Sequence, residues 1–212
     1  ELLSAMALPD TIEDKNRIAA LCREALQKED LEPRYGVMAL QTLARLAGPD
    51  ALPDLLQAVN SPHRTYWGVA LTLAEHLPGE EVSRAWVQRL PELNEAVRPL
   101  VIAMLGKRKD SAAREAVRDA FKSPASEVRL AAYESITRHS DPALVGPLMD
   151  AMAQADSDAE IQAIKSAFLR LPELEAAMQK TMVNRPADAG AYTAAEKVAY
   201  LEMLRERQAA SF

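Results

Sequence analysis

The stretches EAVRPLVIAMLGKRKDSAAREAVRDAF, residues 95–121, and SEVRLAAYESITRHSDPALVGPLMDAM, residues 126–152, carry one pattern 31 positions apart without a gap. The matching residues include Val97-Arg98 with Val128-Arg129, Asp110 with Asp141, and Asp119-Ala120 with Asp150-Ala151. A fixed spacing of this kind, here called the repeat interval, is typical of repeat proteins, in which each unit offers its neighbour the same surface. The repeat interval therefore decides the fold class.

The composition favours helices. The chain is 49% hydrophobic but only 5% aromatic, and alanine and leucine supply most of its apolar content. Sheets prefer β-branched and aromatic residues, whereas alanine and leucine are strong helix formers. Apolar residues recur at helical spacing, as in Ile18, Leu21, Cys22 and Ala25. No segment alternates cleanly enough to predict a strand.

Most of the 13 prolines fall between these apolar stripes and divide the chain into helical pairs. The first helices are predicted over residues 11–28, 50–60, 79–90, 110–122, 141–154 and 173–184. The second helices are predicted over residues 32–46, 63–77, 94–107, 125–139, 158–171 and 192–207. A single hairpin cannot bury its own apolar face, but a stack of hairpins can. We therefore predict one all-α domain over residues 1–212, a right-handed α-solenoid of about six stacked helical hairpins.

Charge and cysteine content narrow the functional classes. The net charge is −6 and the pI about 5.2, with no basic stripe, so no nucleic-acid partner is predicted. No apolar run reaches the roughly 20 residues of a membrane helix, so no membrane insertion is predicted. The single Cys22 excludes a disulfide within the chain. We expect a soluble protein, and both the cytoplasm and an export compartment stay open.

The two ends of the chain suggest a fragment. The sequence starts ELLSAMALPD without an initiator methionine. Its last residues, 204–212, resemble residues 105–113, which lead directly into another helix. We therefore expect the chain to be a piece of a longer protein.

Residues that could support catalysis are scarce. His63, His76 and His139 lie far apart in sequence, and none belongs to a His-Glu metal motif. The chain has no G-x-S-x-G motif and no phosphate-binding glycine loop. No histidine lies near Cys22 in sequence to activate it. We predict no catalytic residue, no metal, no cofactor and no enzymatic activity.

The segment SPASEVRLAAYESITRHSDPALVGPL, residues 123–148, resembles a HEAT repeat of the short bacterial kind, related to the repeats of phycobilin lyases. Residues 95–110 share its pattern, and residues 33–59 share it without the Val-Arg pair. In that family the arginine and aspartate of successive repeats form a ladder of ion pairs. The resemblance implies this structural role for Arg98, Arg129, Asp110 and Asp141. Ile161-Gln162 is assigned the Val-Arg position of the fifth repeat, where the ladder should weaken.

Solenoids bind their partners on a concave face lined by the second helix of each pair. The candidate partner-binding residues are Trp67, Ile102, Leu130, Tyr133 and Glu134. Trp67 and Tyr133 are candidate exposed contacts, because both residue types are enriched in binding hot spots. The alternative is that an aromatic residue at helical spacing belongs to the core. Trp86 is instead expected to pack between helices.

The leading hypothesis is a non-catalytic protein–protein interaction scaffold with a concave groove, whose partner is another protein or a peptide. One alternative is an accessory repeat module of a larger enzyme, with the catalytic part outside this chain. A second alternative, implied by the resemblance alone, is a lyase or chaperone-like factor for a bilin chromophore.

Overall fold

The structure, a computed structural model, describes residues 11–28, 30–136 and 141–171, together with Ala176 and Glu202. Over these residues it contains helices and no strand. The α-helices are α1 (Ile12–Leu26), α2 (Pro33–Ala47), α3 (Leu52–Ala58), α4 (Arg64–His76), α5 (Glu80–Arg89), α6 (Arg98–Lys107), α7 (Ser111–Ala120), α8 (Ser126–Glu134), α9 (Val145–Ala153) and α10 (Asp158–Arg170). They are the first five predicted pairs. The sixth predicted pair lies outside the described residues.

Prolines set several helix starts. A 3₁₀ turn, Gly48–Ala51, leads into α3, and another, Pro142–Leu144, leads into α9. Helix α6 begins only at Arg98, inside the predicted span 94–107, and Pro99 is its second residue. Proline is tolerated there because an N–H in the first turn of a helix has no partner within the helix.

The chain divides into two compact units, Glu1–Ala116 and Val117–Phe212. In the first unit, α1 packs against α2, α2 against α4 and α4 against α6, so that the second helices of successive pairs form a row. In the second unit, α10 packs against both α8 and α9. This packing between neighbouring helical pairs is that of an α-solenoid and confirms the predicted fold class.

One core position of the second helices recurs at the repeat interval. It is occupied by Leu40, Leu71, Ile102, Tyr133 and Ile164, all of which are buried. A second such position lies three residues further on and is also buried at every occurrence: Leu43, Ala74, Leu105, Ala167 and, just after the end of α8, Ile136. Positions one turn apart lie on one face of a helix, so each second helix presents the same apolar face.

A turn position recurs at the same interval and is occupied by glycine in two turns and by aspartate in two others. Gly48 and Gly79 have positive φ angles of 56° and 101°, which glycine adopts without a steric penalty. The next two occurrences are Asp110 and Asp141. Their carboxylates accept hydrogen bonds from the main-chain N–H groups of Ala113 at 2.9 Å and Ala143 at 2.8 Å. At this position, an aspartate that caps the next helical segment thus takes the place of a glycine whose positive φ lets the chain turn.

Two helical glycines allow a matched test of the packing in the first unit. A Cβ atom at Gly36 would overlap the ring and hydroxyl of the buried Tyr66, whereas Gly68 is exposed and has nothing within 4 Å of that position. We expect Gly36→Ala to lower the free energy of unfolding by about 1–3 kcal/mol through overpacking. Gly68→Ala should raise it by up to about 1 kcal/mol through helix propensity. Urea unfolding followed by circular dichroism measures both, and equal stabilisation by the two variants would contradict the Gly36–Tyr66 contact.

Candidate functional site

One position near the start of the second helices ties each helix to the turn before it. At successive repeat intervals it is occupied by Trp67, Arg98 and Arg129. The indole Nε1 of Trp67 donates to the carbonyl of Ser61 at 2.8 Å. Arg98 Nε donates to the Leu93 carbonyl at 3.0 Å, and Arg129 Nη1 donates to the Ser123 carbonyl at 2.9 Å. Each side chain satisfies a carbonyl of the preceding turn, so this position, here called the clamp position, has a structural role.

In the fifth pair the clamp position is Glu160, which is 1% exposed. Its Oε2 accepts the main-chain N–H of Asp156 at 3.2 Å, and its Oε1 lies 2.6 Å from Arg129 Nη2. The assignment of Ile161-Gln162 to the Val-Arg position is therefore wrong, because Glu160 holds the place given to Gln162. Arg129 finds a carboxylate partner one repeat interval away, so the predicted weakening of ion pairing at Gln162 is replaced by a buried pair.

The structure corrects two of the five candidate partner-binding residues. Ile102 and Tyr133 are each only 2% exposed, because both occupy the recurring core position of the second helices. The ring of Tyr133 lies 5.2 Å from that of Phe121. Burial raises the pKa of the Tyr133 hydroxyl, with the nearby Glu160 carboxylate adding to this effect and Arg129 opposing it. Tyr133 is therefore not an exposed contact but a core residue.

The other three candidates keep accessible side chains. Trp67 is half-buried, with the Arg64 guanidinium 5.7 Å from its ring centroid. Leu130 is half-buried and Glu134 is exposed, both on α8. The main-chain carbonyl of Glu134 accepts a hydrogen bond from Arg170 at 3.0 Å, which leaves its carboxylate at the surface. Trp86 is fully buried, as expected of a residue that packs between helices.

The four residues of the implied ladder all make structural contacts. Arg98 also donates to the carbonyl of Pro91 at 3.0 Å, and Arg129 pairs with Glu160. Asp110 pairs with Arg108 at 3.1 Å, and Asp141 caps the 3₁₀ turn that leads into α9. One continuous ladder of arginine and aspartate stays a prediction.

Arg108, which no sequence motif singles out, is the most extensively hydrogen-bonded side chain in the described part of the chain. It is only 9% exposed and donates to the carbonyls of Ala74, Leu77 and Gly79 at 2.6–2.7 Å. Its Nε also reaches Ser83 Oγ at 2.6 Å and Asp110. Lys107 and Lys109 flank it, so in the sequence it looks like part of an ordinary solvated basic run.

Asp110 completes this buried cluster. Burial by itself would raise its pKa, but hydrogen bonds from Ser83 and from the Ala113 main chain, together with the charge of Arg108, outweigh burial and lower the pKa. The carboxylate is therefore held in its charged form beside the guanidinium, and the buried arginine is compensated.

The first unit also contains a pocket of about 550 Å³ formed by residues of α1, α2, α3, α4 and the turns between them. Its polar lining includes Arg23, Lys28, Asp54, Gln57, Asn60 and His63, and its apolar lining includes Leu26, Leu31, Leu40, Ala58 and Tyr66. The volume lies within the range of ligand-binding pockets. No sequence pattern predicted it, because its walls come from two successive helical pairs that are distant in the sequence.

An ion pair in the wall of the pocket joins these two helical pairs. Asp54 accepts hydrogen bonds from Arg23 Nε at 3.0 Å and from Arg23 Nη2 at 2.9 Å. The two residues are again separated by one repeat interval. The described residues include no group of three or more His, Cys, Asp and Glu side chains placed to hold a metal ion.

Paired helices, row packing and positions that recur at a fixed interval define the class of α-solenoid repeat proteins. Within that class, residues 83–167 match the family model of HEAT repeats. The resemblance seen in the sequence is thereby confirmed over α6–α9 and most of α5 and α10. No match among curated proteins is found. HEAT repeats generally mediate protein–protein interactions and are typically non-enzymatic. In the part of the chain that the structure describes, no helix combines the length and apolarity needed to cross a membrane.

Removing the Arg108 side chain should destabilise the first unit strongly. Arg108→Ala removes the cation that pairs with the half-buried Asp110 carboxylate and the donor to the carbonyls of Ala74, Leu77 and Gly79, so we expect the free energy of unfolding to fall by about 3–5 kcal/mol. Arg108→Lys should be intermediate, because a single ammonium cannot reach all these acceptors. Arg84→Ala, on the exposed face of α5, is the control and should leave stability nearly unchanged. Urea unfolding measures all three, and an Arg108→Ala effect no larger than the control would refute the role of this cluster.

The stability contributed by Asp110 should depend on pH. Because its folded-state pKa is lowered, its contribution is present above the unfolded value of about 3.9 and is lost as pH falls through the folded-state pKa. Asp110→Asn removes the titrating group and keeps its shape. We expect the stability gap between wild type and Asp110→Asn to be largest near neutral pH and to shrink as the pH falls below about 4.

Denaturant titrations over this pH range measure the gap. Asp150→Asn, at an exposed aspartate of α9, is the matched control and should follow wild type throughout. A gap between wild type and Asp110→Asn that stays constant over the whole range would show that the carboxylate is not held in its charged form.

Proposed function

We infer that this chain is a non-catalytic protein-binding scaffold that holds another protein or a peptide on the second helices of its pairs. The observation that carries the proposal is the match to HEAT repeats together with the row of α2, α4 and α6 in the first unit. A row of stacked helices places side chains from several repeats on one surface, which suits a partner longer than a small molecule. The concave groove predicted from the sequence is part of this proposal.

The first unit has exposed aromatic and apolar side chains on this row. Tyr35 on α2 is 46% exposed, and the Arg34 guanidinium lies 4.7 Å from its ring centroid. Leu100 on α6 is 45% exposed. Tyrosine and arginine are enriched in binding hot spots, and stacking limits the side-chain entropy that an Arg–Tyr pair loses on binding. We add Arg34 and Tyr35 to Trp67 as candidate contacts in this unit.

The second unit contributes candidates of its own. Leu130 and Glu134 lie on α8, which packs against α10, where Leu169 is 43% exposed. An accessible leucine beside an accessible carboxylate combines apolar area with a charge that can select among partners. Leu130 and Glu134 therefore stay candidate contacts of the second unit. Tyr133 of this unit and Ile102 of the first unit are no longer candidates, because both are buried.

A capture experiment tests the proposal. The immobilised chain is exposed to lysate of its source cells, and retained proteins are identified by mass spectrometry. The Arg34→Ala/Tyr35→Ala double variant and the Glu134→Ala variant are compared with wild type. We expect at least one protein to be retained by wild type and its recovery to fall at least about tenfold with one of the two variants.

Arg84→Ala/Gln88→Ala on α5 is the matched control, since it truncates two exposed side chains on a first helix. This control should retain the partner at the wild-type level. Circular dichroism confirms that each variant is folded. Retention of every captured protein by both test variants, or equal loss with the control, would overturn the assignment of binding to the second helices.

A further inference from the structure

The pocket of the first unit differs from the chain as a whole in its charge. The chain carries a net charge of −6, yet three of the pocket residues, Arg23, Lys28 and His63, are basic and only Asp54 among the described lining residues is acidic. Concave sites that combine apolar walls with a few convergent polar groups are where proteins bind ligands. The pocket is lined by residues of both α2 and α4, two helices of the row in the proposed binding surface.

Arg23, in the wall of the pocket, is held in position by Asp54 through only part of its guanidinium group. Asp54 engages Nε and Nη2 of Arg23, and the side chain of Asp54 is only 15% exposed. Within the described residues, Nη1 of Arg23 makes no hydrogen bond. The ion pair thus neutralises Asp54 and orients the guanidinium, so an incoming acceptor meets a donor that needs no further ordering.

Lys28 adds a positive charge that no carboxylate among the described residues pairs with. It is exposed and lines the pocket from the turn after α1. With Asp54 matched by Arg23, the described lining carries an excess of positive charge. The amides of Gln57 and Asn60 supply further neutral donors in the lining.

The pocket also has an apolar part. It includes Leu26, Leu31 and Leu40 together with Tyr66, which is 7% exposed and whose ring lies 5.5 Å from that of His63. A small inorganic anion would leave this apolar lining unused. A carboxylate attached to an apolar group would use both parts of the pocket, because its charge would meet Arg23 and Lys28 while its neighbouring side chain covered the leucines.

We propose that this pocket binds a short acidic segment of the partner protein, in which an aspartate or glutamate stands beside a large apolar residue. This inference rests on the proposed function and specifies one of its binding sites. The carboxylate accepts hydrogen bonds from Arg23 Nη1 and Lys28 Nζ. The apolar neighbour packs against Leu26 and Leu31, which are half-buried.

Selection from a displayed library of short random peptides tests the proposal without knowledge of the partner. Peptides are selected on wild type, on Lys28→Glu and on Lys122→Glu, which makes the same change of charge at an exposed lysine outside the pocket lining. We expect wild type and Lys122→Glu to enrich peptides with an acidic residue next to an apolar one. Lys28→Glu should lose that enrichment. Both lysines are exposed, so both variants should fold, and circular dichroism checks this.

One enriched peptide is then synthesised with its acidic residue and with the corresponding amide, and fluorescence anisotropy measures both affinities. The acid should bind wild type at least about tenfold more tightly than the amide, as is usual for a charge-assisted hydrogen bond. Lys28→Glu should remove most of this difference. Enrichment of basic or neutral peptides, equal binding of acid and amide, or equal loss with Lys122→Glu would overturn the inference. If a protein captured from lysate binds wild type and Lys28→Glu alike while no acidic peptide is selected, the scaffold proposal stands and the pocket inference fails.

Discussion

The buried guanidinium of Arg108 connects the end of α4, the turn before α5, α5 itself and the turn before α7. It donates to the carbonyls of the first two segments, and to side chains at Ser83 and Asp110. Carbonyls at a helix C-terminus have no partner within the helix and carry the negative end of its dipole, so a cation there satisfies both needs. An apolar residue of the same volume would fill the space but leave these acceptors unsatisfied. The register between successive pairs is thereby fixed by directional bonds, whereas apolar packing alone tolerates small shifts.

The repeat interval constrains geometry more strictly than it constrains chemistry. At the clamp position an indole, two guanidiniums and a carboxylate each bond to the turn before their helix. At the turn position two glycines with positive φ give way to two capping aspartates. Polar contacts between neighbouring pairs follow the same interval, as in Arg23–Asp54 and Arg129–Glu160. Each repeat must present its neighbour with a group that bonds in a given direction, and more than one residue type meets that requirement.

Because the repeat fixes the geometry of contacts but not the residue type, the sequence could predict some features of the structure and not others. Helix order and pairing follow from apolar periodicity and from the placement of prolines. Both patterns remain visible when the residue types differ between repeats. The core position was also predictable from the sequence, since Leu40, Leu71, Ile102, Tyr133 and Ile164 are spaced at the repeat interval. Applying that interval to every pair would have predicted that Tyr133 and Ile102 are buried. The role of Arg108 was not predictable from the sequence. Its role depends on main-chain carbonyls whose positions only the packed helices define, and no side-chain pattern encodes a carbonyl. The pocket was missed for the same reason, since its walls belong to two successive pairs.

The residues at the core, turn and clamp positions are committed to contacts within and between neighbouring pairs. In the proposed scaffold, partner recognition would therefore fall to side chains outside these positions. Trp67 illustrates the limit. Its indole N–H is held by Ser61, and only the ring face remains for a partner. Tyr35 and Lys28 differ from Trp67, because both are exposed and neither occupies a core, turn or clamp position. Arg23 is a third case. Its pairing with Asp54 serves the stack, and the same pairing orients a guanidinium whose Nη1 makes no hydrogen bond within the described residues. A repeat protein can thus build a selective site without weakening its stack where a structural ion pair leaves one donor unused.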